Sequence, residues 1–199
     1  MGKISFWICL LLASATSPTW AQGNIASGKE KAAACGGCHG EDGNSSAPIF
    51  PKLASQHASY IAKQLRDFKS QKRPEPTMSA LAEPLTDEDI ADLAAYYQAQ
   101  QITIEKSPPN ALGEKIYRTG NPATGVSACT GCHGPGGNGN PGALFPQVNG
   151  QYAAYVEKTL EDFKSGARTN DINAMMQKLS ARMSEEEIKA VADYISSLE

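Results

Sequence analysis

Cys35-Gly36-Gly37-Cys38-His39 occurs a second time as Cys129-Thr130-Gly131-Cys132-His133, and the residues around it repeat as well. Cys-x-x-Cys-His is the attachment pattern of a c-type haem. Its two thiols stand about one helical turn apart, where each can form a thioether with a porphyrin vinyl group, and the adjacent imidazole then faces the iron. A single Cys-x-x-Cys also suits a redox dithiol or half of a zinc site. Two complete copies favour two covalently bound haems c, with Cys35, Cys38, Cys129 and Cys132 as the attachment residues.

The copies lie 94 residues apart, and at that offset Ala34-Cys35, Gly37-Cys38-His39-Gly40 and Gly43-Asn44 meet their counterparts from Ala128 to Asn138. One inserted residue raises the offset to 95, where Phe50-Pro51, Gln56, Tyr60, Leu65 and Asp67-Phe68-Lys69-Ser70 meet Phe145-Pro146, Gln151, Tyr155, Leu160 and Asp162-Phe163-Lys164-Ser165. Three more residues raise it to 98, where Met78, Leu81, Glu88, Ile90 and Tyr96 meet Met176, Leu179, Glu186, Ile188 and Tyr194. A repeat of this extent predicts two domains.

The chain opens like an export signal, with Lys3, an apolar run from Ile4 to Leu12 and the small-residue site Thr19-Trp20-Ala21. We expect residues 1–21 to be a cleaved signal peptide and the protein to reach the periplasm. The apolar run is far shorter than the ~20 residues that span a bilayer, and no later stretch is longer. A soluble protein is expected, and peripheral membrane association is compatible with it. Cleavage removes Cys9, so all remaining cysteines are in the pentads and none is left for a structural disulfide. It leaves 17 basic against 21 acidic side chains, a formal charge of −4. From that balance no nucleic-acid partner is expected.

The expected organisation is an N-terminal domain over 22–101, a linker over 102–109 that includes Ser107-Pro108-Pro109, and a C-terminal domain over 110–199. Each half is small enough that bound haem would supply part of its core. Three helices are predicted in each. The first runs from Ile25 to Ala34 behind Asn24, with its counterpart after Pro109-Asn110. Gly28 and Gly113 occupy matching places in it and are expected to let the last helix cross closely under Tyr96 and Tyr194. The second covers Ala58 to Ser70 and Ala153 to Ser165. The third starts at Thr86 or Ser184, where Asp87-Glu88-Asp89 and Glu185-Glu186-Glu187 read as capping and solvation. Arg118 to Val126 has no partner in the first half and reads as an insertion loop.

His39 and His133 are the expected proximal iron ligands. With three histidines in the chain, bis-His ligation at both irons is impossible. His57 aligns with Tyr152 and reads as a surface or supporting residue. Methionine is the other common axial ligand. Met78, in a loop behind Pro76-Thr77, is chosen for the first iron, and the offset of 98 selects Met176 for the second, with Met175 as the alternative and Met183 as a core residue.

With the paired Cys-x-x-Cys-His-Gly motifs, Phe50-Pro51-Lys52-Leu53 and Phe145-Pro146-Gln147-Val148, Met78-Ser79-Ala80-Leu81 leading to Leu85-Thr86-Asp87-Glu88-Asp89-Ile90, and Arg168-Thr169-Asn170-Asp171 leading to Met176, the chain resembles the dihaem cytochrome c4 family. The resemblance implies an all-α fold of two tandem class I cytochrome c domains, three to four helices each, related by a pseudo-twofold axis. It implies His and Met on each iron, and Pro51 and Pro146 carbonyls accepting from the His39 and His133 rings. It also implies periplasmic electron transfer to a terminal oxidase, with a quinol-oxidising complex or a dehydrogenase as donor.

Two closed coordination spheres predict an electron carrier with no small-molecule substrate, not an enzyme. The rival readings are a dihaem subunit of a dehydrogenase, such as flavocytochrome sulfide dehydrogenase, and more distantly a dihaem peroxidase, which needs one iron with a ligand that can leave.

Overall fold

The computed structural model describes residues 23–106, 108 and 110–199; the expected leader over 1–21, with Cys9, lies outside the described residues. In the first half the chain forms α1 (Ile25–Ala32), α2 (Gly36–His39), α3 (Ala58–Lys69), α4 (Pro76–Ala82) and α5 (Asp87–Gln98). The second half repeats this as α6 (Ala111–Thr119), α7 (Thr130–His133), α8 (Ala153–Ser165), α9 (Met175–Ser180) and α10 (Glu185–Ser196), with 3-10 turns at Pro141–Ala143 and Ile172–Ala174. Among the described residues there is no β-strand, only the isolated bridges Asn121 to Val126 and Asn140 to Phe145.

The helix starts follow their side chains. Asn24 Oδ1 accepts the N–H groups of Ala26 and Ser27 at 2.9 and 3.1 Å, and α5 and α10 each open with a complete capping box, Thr86 with Asp89 and Ser184 with Glu187. The stretch around Met78, expected as a loop, is instead the short helix α4. Pro76 stands at its first position, where its missing N–H costs nothing, and the Glu75 carboxylate accepts the Met78 N–H at 2.6 Å. In the second half the Asp171 carboxylate accepts the N–H groups of Met176 and Gln177 at 2.8 and 3.2 Å, and α9 follows.

Each half has its own core. Ala32, Ile61, Leu93, Ala94, Tyr96 and Tyr97 form the first, while Ile116, Tyr117, Leu160, Met183, Ile188, Val191 and Ile195 are prominent in the second. The first and last helices of each half cross at the paired glycines. A Cβ on Gly28 would stand 2.1 Å from the Asp92 carbonyl oxygen and 2.8 Å from Tyr96 Cβ, and one on Gly113 would stand 2.0 Å from the Ala190 oxygen and 2.8 Å from Tyr194 Cβ. Only glycine permits that approach.

A reciprocal set of bonds joins the halves. Gln151 accepts the Lys52 N–H at 3.0 Å and donates to the Lys52 carbonyl at 2.9 Å; Gln56 does the same to Gln147 at 3.0 and 2.8 Å. Lys52 repeats as Gln147 and Gln56 as Gln151 at the 95 offset, so each bond appears twice with the halves exchanged. Arg73 donates to the Tyr155 hydroxyl at 3.0 Å and Arg168 to the Tyr60 hydroxyl at 2.8 Å. These guanidiniums lie 4.7 and 4.6 Å from the Phe68 and Phe163 ring centroids. An interface on which each residue meets its partner's equivalent is the signature of a twofold.

Residues 102–106 lie along this seam. Ile102 N–H donates to Ser55 Oγ at 3.0 Å, Thr103 N–H to Asn44 Oδ1 at 2.8 Å, and the buried Lys52 ammonium to the Thr103 carbonyl at 2.6 Å. Ile104 closes over Gly150 of the second half, whose Cβ would stand 2.7 Å from Ile104 Cγ1. The insertion begins later than its sequence suggests, because α6 carries on to Thr119. Its Val126 is buried in the second core, Asn121 Nδ2 donates to Glu187 Oε1 at 2.6 Å, and Arg182 donates to the Gly125 carbonyl at 2.9 Å.

Candidate haem attachment sites

The pentads fold into the single turns α2 and α7, each closed by a glycine in the left-handed region, Gly40 at φ 79° and Gly134 at φ 77°. Cys35 and Cys129 are half-buried against the cores of their halves, and Cys38 and Cys132 are exposed. None of the four is in a disulfide. Desolvation raises the Cys129 thiol to about 11 and moves Cys35 the same way, so neither is a thiolate redox centre of the low-pKa kind.

His39 Nδ1–H donates to the Pro51 carbonyl and His133 Nδ1–H to the Pro146 carbonyl, both at 2.9 Å. These are the acceptors the family resemblance implies. Each bond sets the tautomer and turns Nε2 away from the backbone. Phe50 and Phe145 stand against the two rings, with centroids 6.3 and 6.5 Å away. Desolvation moves both imidazoles below their ordinary value, against the opposing pull of the proline carbonyls, and so favours the neutral, metal-binding form.

The methionines sort by exposure. Met78 on α4 is half-buried, and α4 packs on α3. Met176 packs half-buried against the second core, Met175 is 37% exposed, and Met183 is 2% exposed inside that core. Met176 thus packs against the same core as Cys129, while Met175 points outward. His57 belongs to the seam. Its Nε2–H donates to the Asn138 carbonyl of the other half at 2.6 Å, and its counterpart Tyr152 donates to the Ser45 carbonyl.

The donor set fits haem c. Each half offers two free thiols on one turn, a neutral imidazole oriented through Nδ1, and a half-buried thioether on the short helix that follows. The sequence places Gln56, Gln151, Tyr60 and Tyr155 in the repeat and Arg168 in the family pattern, but it gives none of these, nor Arg73, a part in a seam. Their only signal is that the 95 offset keeps identical polar residues on otherwise variable surfaces.

The Cytochrome c family matches residues 25–100 and 111–199, once per half. The chain is 46% identical to cytochrome c4 of Pseudomonas aeruginosa, over 95% of this chain and 96% of that protein. It is 36% identical to the thiosulfate dehydrogenase electron acceptor of Stutzerimonas stutzeri, over 84% of this chain and 80% of that one. The crystal structure of reduced recombinant cytochrome c4 from Pseudomonas stutzeri superposes with a TM-score of 0.86 at 42% identity, covering 89% of this chain and all of the other.

Proposed function

This chain belongs to the cytochrome c family in its two-domain cytochrome c4 form, and from that premise we propose a periplasmic carrier that takes electrons from a quinol-oxidising complex or a dehydrogenase and delivers them to a terminal oxidase. It is a dihaem electron carrier, not an enzyme, with two covalently attached haems c. The bound haem supplies one-electron exchange. We assign Cys35 and Cys38 to the first attachment, Cys129 and Cys132 to the second, His39 with Met78 to the first iron and His133 with Met176 to the second. The observation that carries this assignment is the matched histidine geometry. Two imidazoles, one per half, are each held through Nδ1 by a proline carbonyl at 2.9 Å and are free to ligate through Nε2.

The protein's own part is to orient and to insulate. The proline carbonyls hold the rings, α4 and α9 present the methionines, and the two cores exclude water, which adjusts the potentials. With both axial positions filled by side chains, no position remains for a substrate. A dehydrogenase donor is favoured by the likeness to the thiosulfate dehydrogenase electron acceptor. Among the described residues no helix is long and apolar enough to cross a membrane, which fits a diffusing carrier.

A pyridine haemochrome assay on the exported protein is expected to count two haems c per chain, with a low-spin ferric spectrum. The reduced protein is expected to be oxidised by membranes that contain the terminal oxidase. One haem per chain, or a high-spin ferric spectrum with peroxide turnover, would overturn the assignment.

A further inference from the structure

Beside the first cysteine of each pentad lies a buried tyrosine, and the two come from opposite helices. In the first half it is Tyr97 on α5, 2% exposed; in the second it is Tyr117 on α6, 0% exposed. By the repeat, Tyr97 aligns with Ile195 and Tyr117 with Ala32. Cys35 packs against the core that holds Tyr97, and Cys129 against the core that holds Tyr117.

Their hydroxyls differ. Tyr117 donates to the Gly134 carbonyl at 2.7 Å, so its proton is already committed. The Tyr97 hydroxyl is buried and has no hydrogen-bond partner in place, an uncommon state for such a group. Its ring is held by the Gly43 backbone, where a Cβ would stand 2.8 Å from Tyr97 Cδ1. Cys35 packs against the same core, and its sulfur is a group that can accept from a phenol.

We propose that the Tyr97 hydroxyl donates a hydrogen bond to the sulfur of Cys35 once that sulfur is a thioether, making Tyr97 a tuning residue of the first haem with no counterpart in the second. The inference rests on the assignment of Cys35 as an attachment residue. Thioether formation removes the thiol's own proton and leaves the sulfur an acceptor only. Desolvation keeps the Tyr97 hydroxyl protonated far above neutral pH, so the donor is always present. A bond that withdraws density from the sulfur favours the reduced haem, so its loss lowers the potential.

The test uses the dihaem holoprotein with Tyr97→Phe and Tyr117→Phe, read by potentiometric titration and by the resonance Raman C–S stretch. In Tyr97→Phe one of the two potentials falls, the other stays, and one C–S band shifts; in Tyr117→Phe neither potential moves. In the unaltered protein, transfer to D2O shifts that same C–S band, a readout that needs no variant. The proposal is overturned by a Tyr97→Phe protein with unmoved potentials, by equal movement of both, or by a C–S stretch indifferent to D2O. A haemochrome count accompanies each sample. Two haems with any of those negative results refute the bond alone, and fewer than two in the unaltered protein refutes the attachment assignment beneath it.

Discussion

The two halves meet one packing demand with opposite residues. Where the first and last helices pass the first cysteine of the pentad, the first half places Ala32 on α1 and Tyr97 on α5, and the second places Tyr117 on α6 and Ile195 on α10. Each half keeps one tyrosine ring there while the hydroxyl changes its origin. The halves also anchor the crossing differently. Lys31 reaches Asp89 and Asp92 at 2.8 and 2.6 Å in the first, whereas the second relies on Asn110 to Asp193 at 3.3 Å and on Asn121 to Glu187 at 2.6 Å. Shape is held more strictly than chemistry, so the two haem environments can diverge without disturbing the fold.

The sharpest break in the comparison comes from the methionines proposed as axial ligands. Met176→Ala is expected to abolish one of two Met–Fe(III) charge-transfer bands in the ferric spectrum and Met78→Ala the other. Met175→Ala, altering a side chain that points outward, leaves both. If Met175→Ala alone removed the second band, the register of the repeat at α9 would be off by one.

The glycine crossings come next. Valine at Gly28 or Gly113 must push backbone from backbone, beyond the about 1–3 kcal/mol of ordinary overpacking. Gly28→Val is expected to melt the first half ahead of the second and Gly113→Val to reverse the order, followed by thermal circular dichroism with absorbance at each haem.

The seam offers a finer contrast. Arg73 and Arg168 make equivalent bonds to tyrosine, but Arg168 also reaches Gln64 at 3.1 Å and Asn170 at 2.9 Å, against Gln64 alone for Arg73 at 2.9 Å. Hydrogen bonds to a charged group are worth about 1.5–3 kcal/mol, so Arg168→Leu is expected to cost more stability than Arg73→Leu in a denaturant titration.

The smallest effect is in acid. Lys31 holds the Asp89 and Asp92 carboxyls below the usual carboxylate range. A carboxyl depressed in the folded state stabilises fully above its unfolded value and loses that contribution as pH falls through the folded value. Lys31→Met is therefore expected to move acid unfolding of the first half to higher pH and leave the second half unmoved, since there Asn121 chiefly depresses Glu187. The shift is modest, because Lys31 is partly exposed and solvent screens the pair.

Much of this was legible in the residues. The pentads, the long helices, both capping boxes and the glycine crossings follow from local chemistry, which a spacing or a cap residue reports directly. What escaped is one local cap, at α4, and a set of partners distant in the chain. Pro76 reads as a loop residue unless Glu75 is seen to cap the helix that starts there. Gln56 and Arg73 look like solvated polar residues just before and just after α3, because nothing local says that a second copy of the same surface will cover them. His57 aligns with Tyr152 in the sequence, but their common task, donating to a carbonyl of the opposite half, appears only when the halves meet.

The reciprocal glutamines also say how strong the seam must be. Two surfaces that bind each other through the same bonds given and returned would form a homodimer if they lay on separate chains, and they would then depend on concentration. Fused by a strap as short as residues 99–110, they meet at an effective concentration of about millimolar. At that concentration even an interface too weak to hold free partners together would stay closed.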